Sequence, residues 1–87
     1  MEKNNVRAEM ARFGITISEM AQMMEMAPGT FSQKLNGKKE WTFAEVIKVE
    51  TILNSYGAEV EWRYLFKDIY DKVKEGHEEL LASKVAG

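Results

Sequence analysis

Side chains able to do covalent or metal chemistry are few in this chain. His77 is the only histidine and there is no cysteine among the 87 residues. Thiolate nucleophiles, disulfides and His/Cys metal sites are thereby excluded. Glu75, Glu78 and Glu79 fall at the spacing of a charged helix face, not of two carboxylates opposed across a substrate. The glycines at 14, 29, 37, 57 and 76 are scattered and form no phosphate-cradling run. No nucleophile, base and orienting group share a motif, so no enzyme is expected and no cofactor is called for. Recognition chemistry is what remains: the amide of Gln33, the hydroxyls of Thr30 and Ser32, and the cations Lys34, Lys38 and Lys39.

The elements that must position these residues announce themselves by their ends. Val6, Met10 and Phe13 recur at helical spacing with Lys3, Arg7, Glu9 and Arg12 around them, which predicts a helix over residues 2 to 13 that stops at Gly14. Thr16-Ile17-Ser18-Glu19 is a capping box, with Ile15 and Met20 placed as a hydrophobic staple. The second helix therefore starts at Thr16, carries Met20, Ala21 and Met24 inward, and ends near Glu25 because Pro28 cannot lie inside it. Pro28 instead opens a third helix, which runs to Leu35 and stops at Asn36-Gly37. Phe31 and Leu35 are its inward pair, leaving Gly29, Ser32 and Gln33 outside. Thr42-Phe43-Ala44-Glu45 repeats the capping box, with Trp41 and Val46 as its staple. The fourth helix then presents a stripe of Phe43, Val46, Ile47, Glu50 and Leu53 and closes between Asn54 and Gly57. A short fifth helix spans 61 to 66 with Trp62, Leu65 and Phe66. From Lys67, the residues Ile69, Val73, Leu80 and Leu81 mark a last amphipathic helix, bent near Gly76-His77.

Composition agrees with a single small all-α domain. The apolar fraction is 45%, the charged fraction 30%, and there is one proline, values ordinary for a folded globular chain. Met1 to Asn5 lack the basic and apolar segments of a leader, and no apolar run is long enough to span a bilayer, so a cytoplasmic protein without membrane contact is expected. Net charge is −2, yet the charge is unevenly spread. Residues 1 to 40 hold six Lys/Arg against five acids, and residues 41 to 87 hold six against nine. Any anion-binding face belongs to the first half. Met10, Met20, Met24 and Met26 fall on inward positions as core filler, whereas Met23 falls on an outward one.

Residues 16 to 37, TISEMAQMMEMAPGTFSQKLNG, resemble the helix-turn-helix of the lambda-repressor-like family (Cro and phage repressors, the Xre type), whose members read "TQEELA", a turn, then "STLSRIENG". Glu19, Ala21, Thr30, Ser32, Asn36 and Gly37 match at the same spacing, and VEWRYLF at 60 to 66 is similar to the family's fifth helix. Four positions differ. Glu25 stands where the family has glycine, Ile17 where it has a polar residue near the start of the second helix, and Pro28 and Gly29 open the recognition helix without side chains that reach a base edge.

The resemblance implies a compact five-helix domain over 1 to 66 that binds double-stranded DNA; the apolar stripe of the helical extension over 67 to 87 is expected either to cover this domain's own core or to pair with a second copy as a dimerisation element. It implies a sequence-specific transcriptional regulator of repressor type, placed as a homodimer on a palindromic operator. In that reading Gln33 presents its amide to adenine in the major groove, with Thr30, Ser32 and Lys34 assisting and Gly29 permitting close backbone approach. Lys38, Lys39 and Gln22 meet phosphates. The alternative is a protein-interaction module of the same fold, antitoxin-like or a phage inhibitor, which does not read DNA.

Overall fold

A computed structural model describes residues 4 to 71. Within them the chain is helical without strands: α1 is Val6–Arg12, α2 Ile17–Met23, α3 Pro28–Leu35, α4 Phe43–Ser55 and α5 Trp62–Leu65. Residues 67 to 71 are helical again. The expected apolar positions Val73, Leu80 and Leu81, and the bend at Gly76-His77, lie outside the described residues.

Local chemistry accounts for the helix starts. Thr16 accepts the Glu19 N–H through its hydroxyl at 3.1 Å while the Glu19 carboxylate takes the Thr16 N–H at 2.9 Å, and Thr42 with Glu45 repeats both bonds at the same lengths. Each box satisfies two backbone donors that a helix leaves open. Pro28 occupies the first turn of α3, with Ala27 as an extended N-cap lacking a side-chain bond. The first helix begins later than the spacing alone predicts. Asn4 and Asn5 are drawn into tertiary bonds, the Asn4 amide donating to the Leu35 carbonyl at 3.1 Å and the Asn5 amide and N–H donating to Tyr64 and Leu65 carbonyls at 2.7 Å. Asparagine offers its backbone such alternatives to helix, so α1 opens only at Val6.

Four helix ends share one closure. The N–H two residues past the C-cap returns to the carbonyl three residues before it, as Ile15 to Met10, Met26 to Ala21, Lys38 to Gln33 and Ala58 to Leu53, while the preceding N–H bonds one carbonyl further on. This closure places the residue after the C-cap in the left-handed region. Gly14, Gly37 and Gly57 fill that slot after α1, α3 and α4, but after α2 it is Glu25, at φ 59°. A non-glycine residue there costs about 1 to 2 kcal/mol. Lys48 of α4 holds the Glu25 carboxylate at 2.8 Å and so ties the strained turn to the next helix. Glu59, at φ 53°, is clamped differently: the Asn54 amide bonds both the carbonyl and the N–H of Val60 at 2.9 and 2.7 Å.

Val6, Met10, Met20, Ala21, Met24, Phe31, Leu35, Val46, Leu53, Leu65 and Phe66 are buried together, as the spacing predicts, and Met26 packs half-buried against them. Five positions differ, the first being Ile47, which is half-buried and stands outside the core cluster. Phe43 is 58% exposed, and its place in the α4 stripe is taken by the fully buried Val49. The Phe43 ring instead meets Trp62 edge-on at 5.3 Å. Glu9 is buried, since Arg12 holds its carboxylate at 3.0 Å and the Tyr64 hydroxyl donates to it at 3.4 Å. Met23 does not stand free but is half-buried against the core, with its sulfur accepting the Tyr56 hydroxyl at 3.7 Å. Glu50 leaves the stripe to accept the Trp62 N–H at 2.7 Å, capping α5 from outside.

Replacing Thr42 by alanine removes the hydroxyl that caps the longest helix and should lower unfolding stability by about 1 kcal/mol. Thr42→Ser should retain most of it. Urea denaturation followed by circular dichroism measures both.

Candidate nucleic-acid interface

The α3 helix exists because its ends are fixed and one face is apolar. Pro28 sets its entry, the Phe31 and Leu35 side chains are fully buried, and Asn36-Gly37 closes it. The opposite face is what remains for recognition. Gly29 and Gln33 are exposed there, with Thr30 and Ser32 half-buried beside them. Around Gly29 there is open space, so that an added methyl would meet nothing within 4 Å. Packing inside the chain therefore places no demand on glycine at this position.

The end of α3 differs from the other helix ends in what it presents to water. At the equivalent closing position Ile15 and Ala58 are buried and Met26 is half-buried, whereas after α3 the residue is Lys38, exposed, followed by exposed Lys39. Both lysine N–H groups donate to the Gln33 carbonyl, at 2.8 and 3.3 Å. The backbone thus joins the two cations to the residue expected to reach a base. Gln22 is exposed near the end of α2.

Lys34 departs from the expected contact set. Its ammonium donates to Glu45 Oε1 and to the Glu40 carbonyl, each at 2.8 Å, lies 6.0 Å from the centre of the Trp41 ring, and leaves its side chain only 11% exposed. Its charge is turned into the protein, where it fastens α3 to the start of α4. The spacing placed it beside Gln33 on the helix but carried no information about a carboxylate eleven residues away. Arg7 and Asn36 form a group that the spacing did not single out. The Arg7 guanidinium donates to the Asn36 side-chain oxygen at 3.0 Å, bringing α1 to the lysine end of α3. Arg12 is held by Glu9 and stacks over Phe13 at 5.0 Å.

Three acids near this unit, Glu45, Glu25 and Glu19, are held by partners. Burial alone raises the Glu45 carboxyl, but Lys34, the Thr42 N–H and the Thr42 hydroxyl outweigh it and bring it below the ordinary 4.5. The Lys48 hydrogen bond and charge lower Glu25, and the Thr16 N–H lowers Glu19. No group of three His, Cys, Asp or Glu side chains is arranged to hold a metal among the described residues, and none of their helices is long and apolar enough to cross a membrane. Compared with protein-family models, curated proteins and solved structures, the chain has no match.

A carboxyl lowered by folding stabilises the native state above its unfolded value and loses that contribution as pH falls through its folded value. Stability should therefore decline below about pH 4.5, the ordinary value of Glu45. Glu45→Gln should be less stable than the wild type at neutral pH, with a shallower decline in acid. Thermal unfolding across a pH series tests this, and parallel curves for the two proteins would refute it.

Proposed function

We propose that this chain is a sequence-specific, double-stranded DNA-binding regulator of transcription of phage or bacterial repressor type, non-enzymatic, in which α2 and α3 form a helix-turn-helix. The carrying observation is the composition of α3 and its exit: apolar Phe31 and Leu35 on the inner face, Gly29, Ser32 and Gln33 on the outer one, then the exposed Lys38-Lys39 bonded back to the Gln33 carbonyl. This arrangement suits a helix laid in the major groove. The Gln33 amide offers a donor and an acceptor to adenine, the half-buried hydroxyls of Thr30 and Ser32 flank it, and the two lysines reach the phosphates beside the groove.

Gly29 gives the α3 backbone room to approach a groove wall. With Lys34 committed to Glu45, Gln33 is left with Thr30 and Ser32 in the groove, and Lys38, Lys39 and Gln22 meet the phosphates. A homodimer on a twofold operator would double each set of contacts, and with so few per copy it is the arrangement that gives useful affinity.

The competing reading, a protein-binding module of the same fold, is favoured by one observation. The exposed residues that open α3, Ala27, Pro28 and Gly29, offer no side-chain donor to a base. Selection from random duplex DNA at two salt concentrations separates the two: a twofold-symmetric motif whose binding falls with salt supports the regulator, and absence of enrichment from folded protein supports the module.

Within the regulator reading the residues have separable effects. Gln33→Ala should relax base preference by about 1 to 3 kcal/mol at one position of the site, while Lys38→Ala should weaken every sequence alike and lower the salt slope by about one unit. Gly29→Ala tests close approach directly. It should leave the fold intact or stabilise it by up to about 1 kcal/mol, since alanine favours helix, yet weaken duplex binding. Fluorescence anisotropy on cognate and scrambled duplexes, with melting of the free protein, distinguishes these outcomes.

A further inference from the structure

We propose that Met23 is a site of oxygen transfer from peroxides, with the Tyr56 hydroxyl as the proton donor positioned for it. The chain carries six methionines and no cysteine, so thioethers are its only sulfur groups. Met23 closes α2 and is half-buried, and its Sδ accepts the hydroxyl of Tyr56, the C-cap residue of α4, at 3.7 Å. Tyr56 is 43% exposed and its ring stands 6.5 Å from that of Phe13. The sulfur thus sits at the edge of the core beside a hydroxyl that water and small solutes reach.

The reaction balances with hydrogen peroxide or an alkyl hydroperoxide as oxidant. A sulfur lone pair attacks the terminal peroxide oxygen and forms the S–O bond, while the O–O bond breaks with its electron pair on the leaving oxygen. Sulfur is oxidised by two electrons and the peroxide is reduced. The Tyr56 hydroxyl gives its proton to the leaving oxygen, which departs as water or alcohol. The phenolate then takes the proton of the transferred oxygen and donates it in a hydrogen bond to the sulfoxide. The product is a stronger acceptor than the thioether and a polar group where the core begins. Because Met23 is the last residue of α2, oxidation there places a polar group at the end of the helix that precedes α3.

The test treats the full chain with hydrogen peroxide and follows each methionine by peptide mass spectrometry. Met26 is the internal reference, being half-buried as well but without a hydroxyl on its sulfur. Met23 should convert well before the buried Met10 and Met20. Tyr56→Phe keeps the ring and removes the proton, and should lower the Met23-to-Met26 rate ratio about threefold, the worth of one weak hydrogen bond. Its melting curve verifies that the fold is retained. Met23 reacting no faster than Met20, or a ratio unchanged in a folded Tyr56→Phe protein, would overturn the proposal. Neither result depends on DNA binding.

Discussion

One oxygen atom of Glu45 takes two hydrogen bonds, from Lys34 Nζ at 2.8 Å and from the Thr42 N–H at 2.9 Å. The first bond comes from the body of α3 and the second from the start of α4, so this carboxylate ties the two helices together. Lys34 adds a bond to the Glu40 carbonyl in the intervening loop. Helix, loop and next helix are thereby held on one ammonium and one carboxylate. The pair is largely withdrawn from water, which makes its loss costlier than that of an exposed pair, because either partner left alone would be a poorly solvated charge. This junction acts with the buried Phe31 and Leu35 side chains to orient the outer face of α3.

Behind the junction, aromatic rings carry the constraint into the core. Phe31 of α3 meets Trp41 edge-on at 5.8 Å, and Trp41 meets Phe66 at 5.0 Å. Edge-to-face pairs are directional, so they fix orientation as well as burying area. A chain of this size buries a smaller fraction of its surface than a large domain does. It compensates by letting a few large side chains, Phe31 and Phe66 among them, span between elements that aliphatic residues would not bridge.

Features that depend on residues close in sequence were legible before the structure, and those that depend on distant partners were not. Both capping boxes, the proline that opens α3, and the glycines that close α1, α3 and α4 are local arrangements of three to six residues, and each stands where the spacing put it. Glu25 was recognisable as standing in a glycine slot, but the Lys48 contact that braces it was not. Phe43 and Val49 exchanged roles because α4 turns its stripe toward α1 and α5, whose positions helical periodicity does not encode. Met23 and Glu9 were read as outward for the same reason: Tyr56 and Tyr64, the partners that hold them, lie 33 and 55 residues away. Lys34 was the costliest of these to misplace. Its spacing along α3 suggests a residue assisting Gln33 in the groove, while its partner in the structure, Glu45, stands eleven residues on.

That commitment of Lys34 reshapes the electrostatic argument for α3. A net charge of −2 opposes approach to a polyanion only where the acids are near and unscreened. At physiological ionic strength a charge is felt over about 8 Å. Around the α2 and α3 unit, Glu25 is paired with Lys48, Glu45 with Lys34 and Glu9 with Arg12. Each pair contributes little net field. Lys38 and Lys39 are exposed at the exit of α3, where the acid next to them in the chain is Glu40, so their two charges exceed its one in that segment. A surplus this small gives weak attraction to any one phosphate. In the proposed DNA complex, charge would orient the helix, the Gln33 amide would supply discrimination, and a second copy would supply strength.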